Sequence, residues 1–190
     1  MGADVTLFRA VNGLAGHHPI LDTVMTACTQ WSPLFFAAVV GVLWLRWRRP
    51  AQEAALVAAA SALIALGAGQ LLGLAFPRPR PFVVMKATLL LPHATDTSFP
   101  SDHTTVAFAV STVVWLINRR AGAALYVLSA LVLVSRVYTG AHYPSDAVGG
   151  GILGSLVAVA MWTAAGRDVG TRGMTWLLDG LGRIRLAARK

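Results

Sequence analysis

Cysteine occurs once, at Cys28, so no disulfide can form within the chain and no cysteine cluster can hold a metal. The lone thiol is expected as a small buried apolar residue. Lysine is nearly as scarce, with only Lys86 and Lys190, and arginine carries most of the positive charge. Charged residues make up only 13% of the 190 residues while 56% are hydrophobic. An ordinary soluble domain is about 45–50% apolar, so the chain reads as a membrane protein.

Apolar stretches long enough to cross a bilayer, which takes about 20 residues per helix, recur at Ile20–Leu45, Ala51–Phe76, Ser98–Ile117, Ala121–Tyr138 and Ala147–Ala165. The expected fold is all-α: a polytopic membrane helix bundle of about five transmembrane helices plus surface helices. A net charge of +8 is compatible with nucleic acid, but the placement of the arginines argues against that partner. Arg46, Arg48 and Arg49 follow the first span, Arg119 and Arg120 the third, and Arg167, Arg172, Arg183, Arg185, Arg189 and Lys190 the fifth. Cytoplasmic loops carry such an excess, so these three ends are expected in the cytoplasm and the N-terminus outside. The first apolar run lacks the charged lead-in and small-residue cleavage site of a signal peptide and is expected to stay.

Residues 1–19 carry Val5, Leu7, Phe8, Val11 and Leu14 at loose helical spacing. They read either as an amphipathic segment on the outer surface or as a short tail. Trp44 and Trp47 beside Arg46 are expected as headgroup-level anchors. Pro77 stops the second span, and the stretch to about Thr97, with its internal Leu89, Leu90 and Leu91, is expected to fold back on the membrane surface. Residues 167–190, with Met174, Leu177, Leu178, Leu181 and Ile184 at helical intervals, read as a basic cytoplasmic anchor.

Ionisable groups beside apolar spans are expensive, and they are therefore where function is sought. Four groups qualify: Arg78-Pro79-Arg80-Pro81, Pro100-Ser101-Asp102-His103, Ser135-Arg136, and His142 with Asp146. Counting crossings puts all four on one face of the membrane. Ser101, Asp102 and His103 open a helix whose N–H groups and dipole make an anion site; as a plain N-cap, Ser101 needs no such role. Arg80 and Arg136 add planar forks matched to phosphate oxygens. Asp146, four residues after His142, is placed to accept the proton on one ring nitrogen, leaving the other as a nucleophile.

With those residues in view, the chain resembles the type 2 phosphatidic acid phosphatase superfamily. PSDH at 100–103 matches its signature P-S-x-H, and SRVYTGAHYPSD at 135–146 matches S-R-x5-H-x3-D. RPF at 80–82 matches the end of K-x6-R-P, but the position of that lysine is Gly73, with Arg78 as the candidate substitute. Within the superfamily, Asp102, the RPRPF run and the compact layout look most like bacterial undecaprenyl-diphosphate phosphatases, which recycle the lipid carrier of cell-wall synthesis. The resemblance covers residues 70–150 well and the rest by general architecture.

The resemblance implies one membrane-embedded phosphatase domain over 1–190 in a bacterial cytoplasmic membrane, its site on the extracytoplasmic side. His142 would attack phosphorus, Asp146 hold it, and His103 protonate the leaving oxygen and later activate water. Arg80, Arg136, Ser101 and the N–H groups of Asp102 and His103 would hold the phosphate oxygens. Neither metal nor cofactor is implied; the partners are a lipid phosphate and the bilayer. Two rivals stay open: a metal hydrolase using Asp102, His103, His142 and Asp146 as ligands, and a transporter with charges along an ion path.

Overall fold

A computed structural model describes residues 2–46 and 48–166 of the chain. The expected basic tail at 167–190 and the Trp47 anchor lie outside the described residues. The described residues fold as seven helices and no strand: α1 (Ala3–Asn12), α2 (Pro19–Leu45), α3 (Arg49–Ala75), α4 (Pro81–Val84), α5 (Asp102–Ile117), α6 (Arg119–Tyr138) and α7 (Pro144–Gly166). Of these, α2, α3, α6 and α7 are long and apolar enough to cross a membrane. Their large apolar residues face outward, among them Ile20, Leu63, Leu71, Leu74 and Val127, as expected where lipid rather than water surrounds the bundle.

The third expected span, Ser98–Ile117, is shorter than its apolar run. Residues 98–101 stay out of the helix and α5 holds 16 residues, because Ser98 and Ser101 are drawn into the polar centre described below. α5 is the hub of the bundle, packed against α2, α3, α6 and α7. Its interior polar groups are satisfied sideways: Ser111 meets Ser129 of α6 at 2.8 Å and Thr112 meets Tyr126 at 2.7 Å. Gly150 lets α7 approach it, since a Cβ there would stand 2.5 Å from the carbonyl oxygen of Ser101. In α2, Pro33 cannot donate to the carbonyl of Thr29, and the Ser32 hydroxyl donates to it instead at 3.2 Å.

The N-terminal segment is a helix rather than a tail. Phe8 of α1 is fully buried and packs on Tyr143, their ring centroids 5.6 Å apart. Asn12 donates to the carbonyls of Thr88 and Tyr138, both at 2.8 Å, and accepts from the Thr88 N–H at 2.9 Å. It thereby clasps the stretch after α4 to the end of α6. Gly140 turns the chain there with φ of +84°, a conformation that favours glycine.

Candidate active site

The ends of α3, α5, α6 and α7 meet at one end of the bundle. The Ser101 N–H donates to the carbonyl of Asp146 at 3.1 Å, and Arg80 Nη1 donates to the carbonyl of Ala141 at 3.0 Å. All four polar groups singled out in the sequence therefore converge around the turn from α6 to α7.

His142 lies in that turn and is 2% exposed. Its Nδ1 is 2.7 Å from the carbonyl oxygen of Ser98, and its Nε2 is 3.1 Å from Arg80 Nη1. A carbonyl only accepts and a guanidinium only donates, so Nδ1 carries the proton and the lone pair is on Nε2. Burial first, then the positive charges of Arg136 and Arg80, hold the imidazole pKa well below its ordinary value. The ring is therefore neutral, the state a nucleophile needs.

Arg80 is fixed from behind by Asp96, whose carboxylate accepts from Nε at 2.8 Å. Arg136, 2% exposed on α6, donates from Nη2 to His93 Nε2 at 2.8 Å, and its buried Nε has no partner. The Ser101 hydroxyl is also buried and unpartnered at the start of α5. Orphaned buried polar atoms are costly, and here two of them belong to the groups expected to hold an anion. His103 lies in the first turn of α5, where Arg136, His93 and Arg80 form its electrostatic surroundings. Asp102 is exposed, its carboxylate 3.4 Å from Gln70 Nε2 of α3, and it is the first residue of α5.

Two expectations need correction. Asp146 does not touch His142. It is the third residue of α7, and its Oδ2 reaches back to the Tyr143 N–H at 2.9 Å, as the third residue of a capping box does. The same oxygen accepts from the Ser98 hydroxyl at 2.5 Å, so Ser98 stands between carboxylate and imidazole. Arg78, expected as a phosphate ligand, is committed to other partners. Its Nη1 donates to Ser145 Oγ at 2.7 Å and Asp146 Oδ1 at 2.6 Å, its Nη2 to Asp4 at 2.6 Å, and its guanidinium lies 3.9 Å over the Tyr143 ring. Burial would lower its pKa, but Asp4 and Asp146 outweigh that and raise it.

Nor does Gly73 leave a gap that a lysine would fill. A Cβ there would meet Thr97 Cγ2 at 2.6 Å and the Phe99 carbonyl oxygen at 3.1 Å. Ser98, Asp96 and Asp4 were not singled out as site residues from the sequence. Ser98 could have been suspected as a polar residue opening an apolar run. For Asp4, 74 residues before Arg78, the sequence carries no signal. Among the described residues no group of three or more His, Cys, Asp or Glu side chains is placed to share one metal ion.

Fold and site together describe a membrane-embedded helical phosphatase. The chain belongs to the PAP2 superfamily, which it matches over residues 54–169. It is 36% identical to undecaprenyl-diphosphatase BcrC of Bacillus subtilis over 80% of this chain and 76% of that protein. It is 39% identical to the putative undecaprenyl-diphosphatase YbjG of Escherichia coli over 91% of this chain and 89% of that one. The crystal structure of Aquifex aeolicus LpxE superposes with a TM-score of 0.69 at 23% identity, covering 86% of this chain and 96% of that one.

Proposed function

We propose that the protein hydrolyses undecaprenyl diphosphate to undecaprenyl phosphate and inorganic phosphate through a phosphohistidine on His142. The observation that carries this reading is the pair of orphaned donors, Arg136 Nε and Ser101 Oγ, at a centre where a neutral imidazole presents its Nε2 lone pair. A phosphoryl group satisfies both donors. The names of the relatives in Bacillus subtilis and Escherichia coli support the diphosphate as substrate.

In the first step, Nε2 of His142 attacks the terminal phosphorus and the bond to the bridging oxygen breaks. Arg80 leaves its resting contact with Nε2 and, with Arg136, Ser101 and the N–H groups of Asp102 and His103, holds the equatorial oxygens, where charge must be stabilised. The imidazole becomes cationic, and its Nδ1–H stays hydrogen-bonded to the Ser98 carbonyl. His103, protonated when the anionic headgroup lies beside it, gives that proton to the departing lipid phosphate. It then takes a proton from water, which attacks the phosphohistidine, and inorganic phosphate leaves. The site faces the extracytoplasmic side of a bacterial cytoplasmic membrane in this reading, and the lipid reaches it laterally with its tail among the helices.

The test is phosphate release by the purified protein from undecaprenyl diphosphate, phosphatidic acid and phosphatidylglycerophosphate in excess EDTA, alongside His142→Ala. Release from the diphosphate that survives EDTA and vanishes in the variant is expected. Preference for either monoester would move the substrate assignment, loss in EDTA would favour the metal rival, and release by His142→Ala would sink the phosphohistidine.

A further inference from the structure

Asp4 lies in the first turn of α1, well outside the residues matched to the superfamily, yet its carboxylate is fully engaged with the machinery around His142. Oδ1 accepts from the Ser145 N–H at 2.9 Å, and Oδ2 accepts from Ser145 Oγ and from Arg78 Nη2, both at 2.6 Å. From Arg78 the path continues to Asp146 Oδ1 at 2.6 Å, from Asp146 Oδ2 to the Ser98 hydroxyl at 2.5 Å, and from the Ser98 carbonyl to His142 Nδ1 at 2.7 Å. These are short, mostly charge-assisted bonds, and they join α1, the segment after α3, the segment before α5, and α7.

We propose that Asp4 is a positioning residue for phosphoryl transfer, acting on His142 through Arg78, Asp146 and Ser98. The inference rests on the assignment of His142 as nucleophile. Its physical basis is charge balance. Arg78 is shared between two carboxylates. With Asp4 in place, Asp146 keeps part of its negative charge for the Ser98 hydroxyl and for the imidazolium that forms at His142. Without it, the whole guanidinium charge falls on Asp146 Oδ1 and weakens both. The Ser98 carbonyl then holds the Nδ1 tautomer less firmly, and the lone pair on Nε2 is less often available. The docking of α1 does not depend on Asp4, because Phe8 is fully buried and Asn12 is bonded to Thr88 and Tyr138, so Asp4→Asn is expected to fold.

Two measurements on the full chain test this. In steady-state hydrolysis of undecaprenyl diphosphate, Asp4→Asn should lower kcat about tenfold, by analogy with the low end of the loss seen when partners that orient metal ligands are removed, with KM nearly unchanged. Arg78→Gln removes the charge that Asp4 shares, so adding Asp4→Asn to it should cost nothing further, and the double variant should be no worse than Arg78→Gln alone, since both act on one path. Multiplied losses in the double variant, or a kcat equal to wild type, overturn the proposal. Nitrogen-15 NMR of histidine-labelled protein reads the second outcome without any substrate. His142 should be a single Nδ1–H tautomer in the wild type and a mixture in Asp4→Asn, and an unchanged tautomer overturns the proposal even if the lipid substrate has been misassigned. Failure of the phosphatase reading itself would show separately, as wild-type protein that releases no phosphate.

Discussion

His142 and His103 sit in the same polar centre and are predicted to respond to different variables. Burial and two guanidinium groups depress the His142 pKa, so its neutral form persists as the pH falls through the ordinary histidine range near 6.5. The rate of phosphohistidine formation in single-turnover quench experiments should therefore show no acid limb at that value; its loss should begin only at lower pH. A limb at the ordinary value would mean that His142 is solvated or differently charged. For His103 the variable is the leaving group. A lipid phosphate leaving from a diphosphate is a far weaker base than an alkoxide, since the second pKa of a phosphate monoester is about 6. His103→Ala should then cost more on a lipid monoester, approaching the ~10²–10⁴-fold scale of general acid catalysis, than on the diphosphate. Equal losses on the two substrates would remove His103 from the protonation step.

At the scale of elements, the spans were legible because apolar length is a strong signal, and convergence of the four polar groups followed from counting crossings. What failed was finer. The spacing of His142 and Asp146 reads as a pair only if nothing intervenes, but His142 lies outside α7 and Asp146 caps it, so Ser98 fills the gap. Arg78 reads as a phosphate ligand only while Asp4 is out of sight at the far end of the chain. The expected span starts at Ser98, although the helix reads as opening at Ser101, because apolar content cannot show that Ser98 to Ser101 leave the helix to serve the site. Gly73 gives the clearest test at this scale. Restoring the signature lysine with Gly73→Lys should lower both thermal stability and kcat, because the side chain must displace Thr97 and Phe99; overpacking of this kind costs about 1–3 kcal/mol. A rise in activity with unchanged melting temperature would show that the segment before α5 yields.

For the whole molecule, sidedness is the property to test. From the arginines at the junctions after α2 and α5 we propose that those ends are cytoplasmic, which would leave the active site at the other end facing outward. With Cys28 replaced by serine, Thr95→Cys and Asn118→Cys place single thiols at exposed positions at opposite ends of the bundle. A membrane-impermeant maleimide should label the first in intact cells and the second only after permeabilisation. The reverse pattern would invert the topology.

The shortness of α5 also has a mechanical side. Its 16 residues span roughly 24 Å at about 1.5 Å per residue, less than a hydrocarbon core of about 30 Å. With its cytoplasmic end at the membrane boundary, α5 would put the floor of the site below the plane of the surrounding headgroups, so that a lipid must sink, or the bilayer dimple, before its phosphate reaches His142. Thickening the membrane deepens that descent. Turnover in vesicles of progressively longer acyl chains should fall through KM before kcat, making the enzyme a gauge of the bilayer it inhabits.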